Sequence, residues 1–114
     1  MGTTAALKQS DRIRVLNDNF RTTFVGGRIL TTAGVAELSV DTKARLLLAV
    51  QSFNDFSKDN DPHGEHDFGA IELEGERYFF KLDYYTPDLT AGSEDPADPE
   101  MTTRVLTIMR ADEY

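Results

Sequence analysis

Cysteine is absent from this sequence of 114 residues. Its absence excludes a disulfide framework, a thiolate metal site and a cysteine nucleophile, and it favours a reducing, cytoplasmic setting. Long apolar runs are missing as well. Because no stretch of about 18 apolar residues occurs, we expect neither a membrane-spanning helix nor a membrane partner. Residues 1–7 also lack the basic region and long apolar stretch of a secretory signal.

Motifs that would mark a cofactor or a nucleophile are missing too. Gly26-Gly27 is not followed by Lys and Ser or Thr, so it does not resemble a phosphate-binding loop. No Gly-x-Ser-x-Gly motif is present. We therefore predict no cofactor and no catalytic residue, and the sequence favours a protein that is not an enzyme.

Basic residues are scarce in the C-terminal half. Residues 1–54 carry seven basic and four acidic side chains, whereas residues 55–114 carry five basic and sixteen acidic ones, within a net charge of -8. Direct nucleic-acid binding is disfavoured, because affinity for phosphate comes from Lys and Arg. A basic protein partner would be attracted to such a surface. The alternative is that the acidity serves solubility alone.

Two segments have apolar residues at helical spacing. The first, Asp11–Arg21, follows the N-cap candidate Ser10 and is stopped by Gly26-Gly27. The second, Val40–Asn54, follows the N-cap candidate Ser39 and is the main predicted helix.

The other patterned segments are typical of β-strands. Arg28–Thr32 is a short one; Phe68–Leu73 and Arg77–Tyr85 follow, joined by a hairpin turn at Glu74-Gly75-Glu76; Thr103–Arg110 is the last. The sequence thus predicts an α+β fold, a small antiparallel sheet of three to four strands with two helices packed on one face.

We expect a flexible tail at residues 1–10 and a single domain over residues 11–114. The predicted core residues come from the main helix and the last two strands: Leu46, Phe53, Phe80, Leu82, Leu106 and Ile108.

Four ordered motifs carry a family resemblance. They are Asn60-Asp61-Pro62-x-Gly64-Glu65-His66-Asp67-Phe68-Gly69, Lys81-x-Asp83-Tyr84-Tyr85, Ser93-x-Asp95-Pro96-x-Asp98-Pro99, and Thr103-Arg104-Val105-Leu106-Thr107-Ile108-Met109. With them the chain resembles, over about residues 11–114, an uncharacterised bacterial domain-of-unknown-function family common on alphaproteobacterial plasmids and mobile elements. The resemblance implies a bacterial cytoplasm and a mobile-element setting, but it supplies no catalytic residue.

A polar cluster suggests an alternative function, a metal-assisted or acid–base enzyme. Imidazole and carboxylate groups suit divalent metals, and the candidate ligands are Asp59, Asp61, His63, His66 and Asp67. The i, i+3 spacing of the two histidines would place both on one ion only in a helical turn, whereas Pro62 and Gly64 favour a hydrogen-bonded loop. His66-Asp67 also resembles an acid–base pair.

The preferred hypothesis places a binding surface on the acidic C-terminal half. From Leu82 to Glu100 there are six carboxylates and no Lys or Arg. We expect Asp95 and Asp98 to be exposed, unless Arg104 pairs with one of them. Tyr85 and Asp83 should lie on the sheet face opposite the core. The candidate binding residues are Asp83, Tyr85, Asp88, Glu94, Asp95, Asp98 and Glu100.

Overall fold

The computed structural model describes residues 8–114, which form an α+β fold. The helices are α1 (Gln9–Thr23), α2 (Ala33–Ala36) and α3 (Val40–Ser52), and a 3-10 turn spans Ala111–Glu113. The strands are β1 (Gly27–Thr31), β2 (Phe68–Leu73), β3 (Glu76–Tyr85) and β4 (Thr103–Arg110). The predicted tail at residues 1–10 lies mostly outside the described residues, and α1 begins within it.

The four strands form one sheet in the order β1-β4-β3-β2. β3 pairs antiparallel with β2 and with β4, as predicted. β1 pairs with β4 in parallel, with Gly27 opposite Arg104. The sheet is therefore mixed rather than wholly antiparallel, because the chain leaves β1 through α2 and α3 and re-enters the sheet at its opposite edge.

The β2–β3 hairpin confirms the predicted turn. Glu74 and Gly75 both have positive φ, 53° and 80°, and Leu73 pairs with Glu76 across the turn. Two consecutive residues with positive φ define the type I′ turn, whose twist matches that of the flanking strands. The turn thereby sets the register of both strands.

The boundaries of α3 follow from two side chains. Ser39 Oγ accepts a hydrogen bond of 3.1 Å from the Thr42 N–H, which confirms the predicted N-cap. The helix ends at Ser52, two residues before the predicted end. There, the buried Arg21 guanidinium donates to the carbonyl oxygens of Val50 and Phe53 at 2.8 and 2.9 Å. A cation at this position donates to carbonyl oxygens at the C-terminal end of the helix and complements the negative end of its dipole.

The core lies between the helices and one face of the sheet. Five of the six predicted core residues are buried, and Phe53 is half-buried with its ring edge-on to Phe80 at 5.2 Å. The buried apolar residues of this cluster are Phe20, Val35, Leu46, Val50, Ile71, Tyr78, Phe80, Leu82, Leu106 and Ile108. The packing of α1 and α3 on one sheet face is thus confirmed.

The short helix α2 was not predicted. Its first turn is joined to the end of the chain, since Glu113 Oε2 accepts the Gly34 N–H at 2.9 Å and Oε1 accepts the Thr32 hydroxyl at 2.6 Å. A helix this short depends on tertiary contacts rather than on local propensity.

Candidate functional site

The sheet face opposite the helices carries a groove of about 700 Å³. None of its lining residues comes from α1, α2 or α3. We call this the sheet groove, and its lining residues are Leu30, Thr32, Lys81, Asp83, Tyr85, Leu89, Val105, Thr107, Met109, Glu113 and Tyr114. A pocket of this size with a mostly apolar lining is the usual form of a ligand or peptide site.

Alternation along the strands builds the sheet groove. β4 directs Leu106 and Ile108 to the core, so Val105 and Met109 point to the opposite face. Val105 and Met109 are nevertheless buried and form the floor, whereas Leu30 is 54% and Leu89 is 39% exposed. The exposed leucines leave apolar surface available to a partner.

Aromatic rings extend this face beyond the sheet groove. The Tyr114 ring lies edge-on to Phe79 at 5.7 Å and to Phe68 at 6.1 Å. Phe68 and Phe79 are diagonal neighbours across the β2–β3 pair, with their ring centroids 5.0 Å apart. Aromatic side chains of this kind are enriched in interfaces, where they supply large contact area.

The charged groups of the sheet groove are partly engaged. Lys81 Nζ lies 3.3 Å from Asp83 Oδ2. Hydrogen bonds from the Thr32 hydroxyl and from the Arg110 and Gly34 N–H groups lower the pKa of Glu113. The lining thus includes one basic and two acidic side chains.

The segment between β3 and β4, residues 86–102, is the acidic connection. Its backbone is held by hydrogen bonds to main-chain groups and hydroxyls: Thr86 N–H donates to Ala91 O at 2.8 Å, and Ser93 N–H donates to Tyr84 O at 3.0 Å. Thr102 Oγ1 donates to Asp95 O at 2.8 Å. Main-chain and hydroxyl groups therefore order much of the segment, and Asp88 and Asp98 add carboxylate hydrogen bonds within it.

Arg104 does not pair with Asp95 or Asp98, the alternative that the sequence left open. Arg104 is buried, its Nε donates to Asn17 Oδ1 at 2.7 Å, and its Nη2 donates to the Pro96 carbonyl oxygen. The arginine therefore fixes the acidic connection through a main-chain oxygen. Burial lowers the pKa of Arg104, and the neighbouring Tyr84 and Glu65 oppose that shift.

The expected exposure of Asp95 and Asp98 is wrong, since both are half-buried. Asp98 Oδ1 accepts the Glu100 N–H at 2.9 Å, and Asp95 Oδ1 accepts from Gln9 Nε2 at 3.3 Å. Such local bonds are typical of Asp in turns. The exposed carboxylates of the acidic connection are Asp88, Glu94 and Glu100.

The structure divides the seven predicted binding residues between two places. Asp83 and Tyr85 line the sheet groove. The other five, Asp88, Glu94, Asp95, Asp98 and Glu100, lie in the acidic connection, at the end of the sheet where β3 stops and β4 begins. Asp88 accepts from the Thr86 and Thr90 hydroxyls, which lowers its pKa. Within residues 8–114, Asp83 alone among the six carboxylates forms an ion pair.

The candidate metal cluster does not assemble within residues 8–114, where no group of three or more His, Asp or Glu side chains is arranged to hold a metal ion. His66 has φ 57°, in a turn rather than a helix, so the helical i, i+3 arrangement is wrong. Its Nδ1 lies 2.9 Å from Asp18 Oδ1, its Nε2 lies 3.6 Å from Asp61 Oδ2, and its ring stacks on Phe56 at 3.7 Å. His63 and Asp59 are exposed. The acid–base pair with Asp67 is wrong as well, since the imidazole binds the other two aspartates.

Sequence reasoning missed two features of this region. One is the apolar half of the sheet groove, which includes Leu30, Leu89, Val105, Met109 and Tyr114. The signal was present in β4, where apolar residues occupy both alternating positions and so predict two apolar sheet faces. The other is the pair of Asn17 and Arg104, for which local sequence carries no signal.

Fold and surface together define a small acidic α+β domain with an open, partly apolar sheet face. No helix in the described part of the chain is long and apolar enough to cross a membrane. The family model for a protein of unknown function, DUF3768, matches residues 31–113, and the chain belongs to this family. The resemblance to an uncharacterised family is thereby confirmed at this level. No curated protein and no solved structure matches the chain.

Proposed function

We propose that the protein is a small, non-enzymatic binding protein, an inhibitor or adaptor that engages a basic protein partner through the acidic connection. The observation that supports this most is the orientation of Arg104. Arg104, two residues after the acidic connection, binds Asn17 and a main-chain oxygen rather than a carboxylate.

The acidic connection is suited to attract a partner because its backbone is already ordered. Preorganised groups lose little conformational entropy on binding. Clustered negative charge raises association rates with a basic protein, and salt screens the attraction over about 8 Å at physiological ionic strength.

The chemistry of the partner follows from the sign of the charge. Bare nucleic acid is repelled by this surface, whereas a nucleic-acid-binding protein presents the Lys and Arg side chains that the carboxylates attract. In the mobile-element setting that the resemblance implies, cytoplasmic replication or defence proteins have this chemistry.

Charge reversal at Glu94 and Glu100 tests the proposal. Both are exposed, and neither side chain forms a hydrogen bond or ion pair within residues 8–114, so Glu94→Lys/Glu100→Lys changes charge without removing a described contact. Asp55→Lys/Asp59→Lys is the matched control, since it gives the same change in net charge on a loop outside the acidic connection.

The measurement is capture of proteins from an extract of the source cells, followed by association kinetics with the captured partner over a range of salt. We expect Glu94→Lys/Glu100→Lys to slow association about tenfold, the control to behave as wild type, and the wild-type rate to fall with salt. The proposal would be contradicted by a partner whose association rate does not change with salt or in either double variant.

A further inference from the structure

The sheet groove continues from the acidic connection, and the two share a boundary. Tyr85, the last residue of β3, and Leu89, within the acidic connection, both line the groove. Leu89 has a positive φ of 64°, and its N–H donates to Thr86 O at 2.8 Å. A non-glycine residue in this conformation is strained and persists where the surrounding structure holds it, often at a binding site.

We infer that the sheet groove receives a bulky apolar side chain of the basic partner, so that the partner's docking segment carries such a residue close to Lys or Arg. The inference rests on the proposed function, because the cationic residue binds the carboxylates of the acidic connection. The apolar side chain lies over Val105 and Met109, beside Tyr85 and Leu89.

The apolar floor of the sheet groove favours burial of an apolar side chain from the partner. Val105 and Met109 are buried beneath an opening whose walls include the exposed Leu30 and Leu89. An apolar side chain that enters removes both its own surface and that of the leucines from water, and this is the main favourable term in association.

Charge complementarity selects this occupant. Among the described residues, Lys81 is the one basic residue of the lining and is paired with Asp83, whereas Glu113 and Asp88, the residue before Leu89, add negative charge. An acidic segment is therefore repelled. A second copy of this chain is disfavoured as well, since each copy carries a net charge of -8. A segment that combines positive charge with an apolar side chain meets both requirements.

Two synthetic peptides separate the apolar contribution from the charge. In one, Lys alternates with Leu; in the other, Ser replaces every Leu. We expect the Lys–Leu peptide to bind the full chain about tenfold more tightly in fluorescence anisotropy, as burying one leucine is worth at least that factor. It should also shift the methyl NMR signals of Val105 and Met109, which the Lys–Ser peptide leaves in place.

Variants locate the contact. Leu30→Ser/Leu89→Ser should remove most of the preference for the Lys–Leu peptide and leave binding of the Lys–Ser peptide unchanged. Leu48→Ser is the matched control, since Leu48 is 64% exposed on α3 and does not line the sheet groove. The Leu48 variant should keep the wild-type preference.

The negative results distinguish failure of the groove assignment from failure of the proposed function. Equal affinity for the two peptides, or equal losses in the groove and control variants, would overturn the groove assignment and leave the acidic connection as the binding surface. A Lys–Leu peptide that binds independently of salt and of Glu94→Lys/Glu100→Lys would overturn the proposed function. Tighter self-association than peptide binding, measured by sedimentation, would assign the groove to a second copy instead.

Discussion

Asn17 and Arg104 are buried partners from opposite ends of the chain, joined by a hydrogen bond of 2.7 Å from Arg104 Nε to Asn17 Oδ1. The Asn17 amide nitrogen donates to the Tyr84 hydroxyl at 2.8 Å and to Glu65 O at 2.9 Å. A single amide on α1 therefore connects β3, β4 and the loop that precedes β2.

Replacing Asn17 with Leu should lower the free energy of unfolding by about 2–4 kcal/mol, since it leaves the buried Nε–H of the Arg104 guanidinium without its acceptor. Urea denaturation measures the change. Asn19→Leu, at an exposed position on the same helix, should shift stability by less than about 0.5 kcal/mol. Similar losses in the two variants would show that the buried bond contributes little.

Phe80→Ala should cost about 3–5 kcal/mol, because it opens a cavity in the core. Phe80 is fully buried, with its ring against Phe53 and beneath the Arg21 guanidinium. Phe79→Ala, on the neighbouring half-buried position of the opposite face, should cost less. Thermal unfolding of the two variants provides the comparison, and an equal loss would contradict the one-sided core.

Gly69→Ala should destabilise the protein by about 1–3 kcal/mol through overpacking. A Cβ at this position would overlap the ring of the buried Phe80 and approach Phe53 Cε2 to 2.9 Å. Gly92→Ala is the control, since its nearest contact there is an ordinary 3.9 Å to Tyr84 O and its φ is not positive. Chemical denaturation should find the control close to wild type; loss of stability in both variants would refute the steric explanation.

Stability should depend on pH through Glu65 and Asp67. Burial raises the pKa of both carboxyls above their ordinary values of 4.5 and 3.8, and Asp67 raises that of Glu65 further. The folded protein therefore retains protons that the unfolded chain releases. As pH rises from the ordinary pKa values through the raised pKa values, the contribution of these two groups to the free energy of unfolding falls. Glu65→Gln/Asp67→Asn should remove this decline in urea titrations across pH.

Asp88 provides a control of opposite sign. Hydrogen bonds from Thr86 and Thr90 lower its pKa. The stability that Asp88 contributes is therefore present above the ordinary pKa of 3.8 and is lost as pH falls through the lowered pKa. Asp88→Asn should therefore be less stable than wild type at neutral pH, and the difference should vanish in acid. If the stabilities of Glu65→Gln/Asp67→Asn and Asp88→Asn both equal that of the wild type at every pH, the folded structure does not shift the pKa values of these carboxyls.

The fold was largely predictable because its main elements carry local signals. Ser39 caps α3 through its own hydroxyl, and the residues Glu74 and Gly75 favour the hairpin turn that forms. The parallel β1–β4 pair and the short helix α2 depend on contacts between distant segments, such as Glu113 with Gly34, which local patterns do not record.

The candidate site was predictable in charge but not in arrangement. Counting carboxylates located the acidic connection, whereas the direction of Arg104 depended on Asn17, 87 positions away. Alternation placed Tyr85 and Asp83 on the outer face. The apolar floor lies on β4, between β1 and β3. Predicting it requires knowledge of which strands are neighbours, and a single sequence does not contain that information.

The parallel pairing of β1 with β4 has a consequence for biosynthesis. β4 occupies the interior of the sheet, between β1 and β3, and is the last strand to be synthesised. During translation, α1 and β1 leave the ribosome before β4 has been synthesised. Pairings between such distant segments form slowly. The β2–β3 hairpin joins strands that are adjacent in the chain, but the sheet is complete only when β4 inserts between β1 and β3.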